Sequence, residues 1–188
     1  MVHDLKEIID NAWENREILQ DKDTKIAIKT IIDEIDMGTL RAAEPTENGW
    51  KVNEWVKKAV ILYFPIQKMQ LIEIGPFQFH DKMKLKSGYD KLGVRVVPHA
   101  IARYGSYINR DVVMMPSYVN IGAYVDSGTM IDTWATVGSC AQVGRNVHIS
   151  GGVGLGGVLE PIQAAPVIVE DNAFIGSRCI LVEGVRIG

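Results

Sequence analysis

The side chains that most often act as nucleophiles or metal ligands are few in this sequence, and their spacing matches no known site. The two cysteines, Cys140 and Cys179, lie in neither a metal-binding spacing nor a disulfide framework. No local motif ties a histidine to either thiol, which argues against a catalytic cysteine. Of the four histidines only His99 and His148 fall in the second half, in no ligand pattern, so no metal site is predicted.

A glycine-rich segment has the spacing of a dinucleotide-binding loop. Gly152, Gly154 and Gly157 fit G-x-G-x-x-G, which binds phosphate where a strand precedes it and a helix follows. Here no helical pattern follows, and the preceding residues belong to a six-residue repeat. NAD binding is therefore not expected, and the glycines instead permit close packing of the backbone.

The elements that must position any site are indicated by that repeat. An aliphatic residue falls at every sixth position, and a small or modest one follows four residues after each of the first seven. A period of six fits neither an α-helix nor a simple alternating strand, so each hexad predicts one side of a three-sided coil. A β-sandwich, the alternative, would show period-two alternation broken by irregular turns. The pattern thus favours a β-helix. The aliphatic positions are Val113, Val119, Val125, Ile131, Val137, Val143, Ile149 and Leu155.

The repeat slips once and resumes. Val169, Ile175, Leu181 and Ile187 are again six apart but are offset by two residues from the first series. The intervening residues, about 156–168, contain two prolines and predict a loop extruded from a coil, where function is often located. Cys179 falls in a small inward position and is expected to be buried, whereas Cys140 lies just outside one and is expected to be exposed.

Helical periodicity precedes the repeat. The first predicted helix begins with a capping box at Asp4 and ends near Leu19, the second ends at Gly38, and Asn53 caps a third. The predicted fold class is α+β, with a helical N-terminal domain at 1–94 and a β-helix at 95–188.

Composition limits the partners. The net charge is −3, with 20 basic and 23 acidic residues, and no basic run suggests nucleic acid. The longest apolar stretch, which starts at Ala59, is far shorter than the roughly 18 residues of a membrane span. The N-terminus has acidic residues where a secretory signal would be basic and then apolar. A cytoplasmic location, without nucleic-acid or membrane partners, is expected.

The stretch from Met115 to Pro161 resembles the tetrahydrodipicolinate N-succinyltransferase family of hexapeptide-repeat acyltransferases. The segments DTWATVGSCAQ and SGGVGLGGVLEP are specific to this resemblance. It extends to GTLRAAE, NEWVKKAVILYF and GVRVVPHAIARYGSYI, and so covers nearly the whole chain.

The resemblance implies a left-handed parallel β-helix and a homotrimer with active sites between subunits. It further implies transfer of a succinyl group from succinyl-CoA, a co-substrate, to the amino group of ring-opened tetrahydrodipicolinate, a dicarboxylic acid, in lysine and diaminopimelate biosynthesis. No metal and no permanently bound cofactor are implied.

Site residues follow from the matched motifs. Arg95 in GVRVV matches a substrate-binding arginine, whose forked donors suit a carboxylate. Asp132 in MIDTW matches an essential aspartate; because it follows the inward Ile131, it is expected to point toward a neighbouring subunit and to hold, or take a proton from, the substrate amine. A surface ion pair or a corner hydrogen bond is the alternative role for each. Gly156 and Gly157 are the candidate contacts to the pantetheine arm of CoA.

Two departures from the family pattern leave alternatives open. Ile180 occupies the position of a second family carboxylate, and family members continue beyond the position of Gly188 through more coils and a C-terminal segment, so a C-terminal part is expected to be absent. The alternative functions are a catalytically impaired trimeric scaffold and an acyltransferase that uses another acyl donor.

Overall fold

The computed structural model of the protein describes residues 2–188 and begins with a group of helices. Helix α1 spans Val2–Glu14, a 3-10 helix follows at Arg16–Gln20, α2 spans Lys22–Asp36 and α3 spans Glu54–Tyr63. Within the described residues, no helix is both long and apolar enough to cross a membrane.

The helices pack through one apolar stripe of α2. Its isoleucines are fully or almost fully buried against Ile9 of α1 and Val60 of α3, at the i, i+3, i+4 spacing of an amphipathic helix. The stripe consists of Ile28, Ile31, Ile32 and Ile35. Removal of this surface from water stabilises the group by roughly 1.5–3 kcal/mol per side chain.

The predicted helix ends were partly wrong. Helix α1 begins before Asp4 and stops at Glu14, because the Asn15 side chain accepts a hydrogen bond from the Glu17 N–H and starts the separate 3-10 helix. The end of α2 is confirmed, with Gly38 at φ +77° directly after the C-cap. Asn53 precedes α3 as predicted, but its side-chain amide donates to the Arg41 carbonyl instead of capping the helix.

Two antiparallel hairpins interrupt the helical part. Strands β1 (Ala43–Thr46) and β2 (Gly49–Val52) form the first, and β3 (Gln70–Ile74) and β4 (Phe77–Asp81) the second. A short helix, α4 (Tyr89–Leu92), leads into the repeat region.

The repeat region forms five coils. Fifteen two-residue strands, β5–β19, alternate among three parallel sheets of five strands, and each coil supplies one strand to each sheet. The prediction of a left-handed parallel β-helix after a helical N-terminal part is confirmed. The strands are Arg95–Val96, Ile101–Ala102, Tyr107–Ile108, Val113–Met114, Tyr118–Val119, Tyr124–Val125, Met130–Ile131, Thr136–Val137, Gln142–Val143, His148–Ile149, Gly154–Leu155, Ile168–Val169, Phe174–Ile175, Ile180–Leu181 and Arg186–Ile187.

The first position of the predicted series was wrong by one residue. In β8 Met114 is fully buried and Val113 only partly, and Met114 lies beside Ile131 in the adjacent strand. Met114 and Val119 are five residues apart, whereas the inward residues before and after them are six apart, because the corner between these two is one residue shorter. Both side chains therefore still point into the core of the second coil. From Val119 onward the inward positions agree with the prediction, as do those of the resumed series.

The two cysteines have the opposite exposure to that predicted. Cys140 is fully buried because the helical part covers this corner of the prism, where its thiol joins the helical core. Burial raises the pKa of Cys140 to about 12. Cys179 is exposed because no described residue packs over its thiol.

Candidate active site

One column of outward side chains connects the residues predicted for the site. It lies on the sheet of β5, β8, β11, β14 and β17, in which the first residues of neighbouring strands are paired. We call it the outer column. Its members are Arg95, Val113, Met130, His148 and Phe174. Because neighbouring strands are about 4.8 Å apart, the column presents one side chain at each such step.

Asp132 begins the corner that follows β11. Its Oδ1 accepts hydrogen bonds from the Thr133 N–H at 2.6 Å and from the Thr133 hydroxyl at 3.3 Å. Asn120 and Asp126 make the same bond to the following N–H at their own corners. The corner hydrogen bond is therefore a real structural role of Asp132, but it uses only one oxygen.

The second oxygen of Asp132 faces His148. His148 Nε2 lies 4.0 Å from Asp132 Oδ2, and the two side chains are 37% and 34% exposed. The imidazole stacks on Phe174 with ring centroids 5.0 Å apart and planes at 16°, which fixes its orientation. Sequence reasoning missed this pair, although its signal was present, since His148 immediately precedes inward Ile149 while Asp132 immediately follows inward Ile131 on the adjacent strand.

Arg95 lies on the same face but away from Asp132. It is exposed at the first strand of the outer column, two strands from Met130, or roughly 10 Å along the column. Within residues 2–188 its guanidinium makes no hydrogen bond or ion pair. One chain therefore presents a free guanidinium and the Asp132–His148 pair on one surface without bringing them into contact.

An apolar cleft of about 210 Å³ adjoins the Asp132 corner. Trp134, two residues after Asp132, is 67% exposed and forms one wall. The His99 ring lies 5.4 Å from it across the cleft. Such flat walls suit the apolar parts of a ligand whose polar groups reach the outer column. The cleft was not anticipated from the sequence, because the outward residues of hexads follow no apolar pattern.

The predicted loop leaves β15 and returns at β16, and its buried residues pack against the helices. Val158 is almost fully buried, and Lys57 of α3 is completely so. The Lys57 ammonium donates to the carbonyls of Pro161 at 3.2 Å and Ala164 at 2.8 Å. Burial lowers the pKa of Lys57, and Cys140 and nearby acidic side chains offset part of this decrease. A buried cation with two backbone acceptors fixes the loop to the helical part.

Gly156 and Gly157 allow close backbone packing at the start of this loop. A Cβ at Gly156 would lie 3.0 Å from the Leu181 carbonyl oxygen, and one at Gly157 would lie 2.9 Å from the Ser139 nitrogen. Contact between coils thus explains both glycines, and their predicted contact with CoA stays a prediction.

Ile180 lies outward on a different sheet, beside Gly154 and two coils beyond Asp132. It is 68% exposed, so this position offers an apolar surface instead of a carboxylate. Among the described residues, no cluster of three or more histidine, cysteine or acidic side chains could hold a metal ion.

Comparison with known proteins places the sequence of this chain in a family. The sequence model described as tetrahydrodipicolinate N-succinyltransferase N-terminal matches residues 4–66, which cover most of α1, all of α2 and α3, and the first hairpin. A 2,3,4,5-tetrahydropyridine-2,6-dicarboxylate N-succinyltransferase of Cupriavidus taiwanensis is 59% identical over 98% of this chain and 71% of its own length. Proteins of the same name from Bordetella petrii and Pseudoalteromonas translucida are each 56% identical, over 98% and 97% of this chain and 71% and 70% of their own lengths.

The chain belongs to the tetrahydrodipicolinate N-succinyltransferase family. The similarity to these succinyltransferases runs through both the helical part and the β-helix, so it includes the outer column, the Asp132 corner and the loop. The resemblance of the sequence motifs to this family is confirmed.

Proposed function

We propose that this protein is a CoA-dependent N-succinyltransferase that moves the succinyl group of succinyl-CoA to the amino group of ring-opened tetrahydrodipicolinate. The reaction belongs to lysine and diaminopimelate biosynthesis, and we place it in the cytoplasm. The observation that supports this most strongly is the 55–59% identity to succinyltransferases of that name over almost the whole chain.

The outer column suits this chemistry. Arg95 has no described side-chain partner, and its forked N–H groups can donate two parallel hydrogen bonds to a substrate carboxylate. Asp132 keeps Oδ2 outside the corner hydrogen bond, where it can hold the substrate amine by a charge-assisted bond and orient its lone pair toward the thioester carbon. Binding at both ends would align the amine for direct attack, without a covalent enzyme intermediate.

We further propose that the active protein is a homotrimer with the site between subunits. Arg95 and Asp132 lie on one outward face without touching, and the exposed apolar side chains of Trp134 and Phe174 lie beside the same sheet. A neighbouring copy placed on this face would cover these side chains and exclude water from the reacting groups.

The test is a rate measurement with both substrates. Loss of the thioester ultraviolet absorbance is the suitable signal, because the exposed Cys179 would react with thiol-detecting reagents. Asp132→Asn and Arg95→Ala should each lower kcat/KM at least tenfold, about 1.4 kcal/mol of transition-state stabilisation. Asp111→Asn and Arg110→Ala, which alter exposed charges at another corner, are matched controls that should retain the rate. Near-normal turnover of both site variants would refute the site assignment.

A catalytically impaired scaffold is the second candidate, favoured by the apolar Ile180. Such a scaffold would neither bind succinyl-CoA nor gain thermal stability from it. An acyltransferase with another donor would turn over acetyl-CoA faster than succinyl-CoA. Calorimetry and a donor panel separate the three candidates.

A further inference from the structure

We infer that His148 is a catalytic residue of this site and is the base that takes the proton from the attacking amine. The inference rests on the proposed acyl transfer and adds to it the group that receives the proton. His148 and Asp132 lie side by side on adjacent strands of the outer column's sheet.

The separation of the two groups fits a shared ligand. At 4.0 Å, Asp132 Oδ2 and His148 Nε2 are too far apart for a direct hydrogen bond. One amine nitrogen about 2.9 Å from each atom would subtend an angle of roughly 90° between them, which two slightly bent N–H hydrogen bonds can span. The pair can therefore hold one amine by two of its hydrogens.

The surroundings of the imidazole keep it in place without supplying another base. Phe174 stacks on the ring from the next strand, and Met130 flanks it on the other side. Asp132 is the one carboxylate that the described residues bring within 4.0 Å of it. On the next corner, the side chain of Arg178 lies beside Gly152. Both His148 and Asp132 are about one-third exposed, so a substrate can reach them.

Imidazole is better suited to this proton than a carboxylate. Histidine is the side chain that most often acts as a general base, because one ring nitrogen can accept a proton and then release it to another group. Asp132 therefore holds the amine and balances the imidazolium charge, while His148 accepts the proton.

The neutral amine nitrogen donates its lone pair to the thioester carbonyl carbon and a C–N bond forms. The C–S bond then breaks, and its electron pair leaves with the sulfur of CoA. His148 takes one proton from the new ammonium and passes it to the thiolate, so the products are the amide and the free CoA thiol, and the imidazole is regenerated.

The experiment compares the full-length protein with His148→Gln, Asp132→Asn, the double variant and a matched control. The control is His3→Gln, because His3 also lies beside a carboxylate, Glu7 at 3.3 Å, on exposed helix α1. For each protein the pH profile of kcat/KM and the thermal unfolding midpoint are measured.

His148→Gln should lower kcat at least a hundredfold with a much smaller change in KM, as expected for loss of a general base. The acidic limb of the kcat/KM profile of this variant should keep only the contribution of the substrate amine. Its thermal unfolding midpoint should equal that of the parent. The double variant should be no slower than the worse single variant, because the two groups act as a unit. His3→Gln should match the parent.

A His148→Gln variant within threefold of the parent rate and with the parent pH profile would overturn the inference. Multiplicative losses in the double variant would also overturn it, because they would show independent action. A parent protein that is inactive with succinyl-CoA would instead refute the proposed function, so the two failures are distinguishable.

Discussion

A single methyl group at Gly138 should test how tightly the third coil packs against the loop. Gly138 follows β12, and its N–H donates to the Leu155 carbonyl at 2.8 Å. An added Cβ would lie 2.3 Å from the Gly157 nitrogen and 2.5 Å from both the Gly156 carbonyl carbon and the Leu155 oxygen. All three atoms belong to the backbone and cannot rotate away.

The cost follows from the displacement that is needed. To restore even a tight contact of 3.0 Å from 2.3 Å, the loop backbone must move by about 0.7 Å. Overpacking of this kind costs about 1–3 kcal/mol, and three backbone contacts place Gly138→Ala near the upper value. In a chain of 188 residues that corresponds to a decrease of roughly 6–12 °C in Tm.

Urea unfolding followed by circular dichroism measures the free energy directly, with Gly176→Ala as the matched control. A Cβ at Gly176 would meet only Cys179 Sγ, at 3.8 Å, and Gly176 is not in the left-handed region. The control should therefore be neutral or slightly stabilised, since alanine restricts the unfolded chain. A Gly138→Ala variant that loses less than about 0.5 kcal/mol relative to the control would refute the reasoning.

Two further predictions concern titratable groups. Alkylation of the native protein at pH 8 should modify Cys179 and leave Cys140 intact, because Cys140 is fully buried and its pKa is raised to about 12. Mass spectrometry should find one adduct per native chain and two after denaturation. Labelling of Cys140 in the native protein would contradict its burial. Hydrogen bonds from the Arg145 N–H and guanidinium lower the pKa of Asp171, so its contribution is present above the ordinary aspartate value of about 3.9 and is lost as the pH falls through the lower folded value. Asp171→Asn should thus cost about 0.2–1 kcal/mol at pH 7 and nothing in acid, as measured by urea unfolding across pH; a difference that persists in strong acid would exclude the ion pair as its cause.

The β-helix was predictable because its core repeats by a simple spacing. Inward positions such as Ile131 and Ile149 must be aliphatic in every coil, so the spacing alone places them. The exception at Met114 was not visible, because Val113 and Met114 are both apolar and only the length of the following corner decides which one points inward.

Burial of outward residues was not predictable from the repeat. Whether an outward side chain is exposed depends on what covers that side of the prism, and the helices cover Cys140 but not Asp132. For the same reason, the sequence indicated that Asp132 points outward but not that His148 lies beside it. That neighbour comes from strand pairing between coils, which a linear motif does not display.

The two hydrogen bonds of Lys57 have a consequence for the order of assembly. A stack of coils ordinarily resembles a one-dimensional chain in which each layer depends only on its neighbours. Here the fourth coil takes a donor from α3, about a hundred residues earlier, to satisfy the carbonyls of Pro161 and Ala164. These two hydrogen bonds to the connection between β15 and β16 can form only after α3 has docked. A protein synthesised from its N-terminus therefore has this anchor ready before the connection emerges.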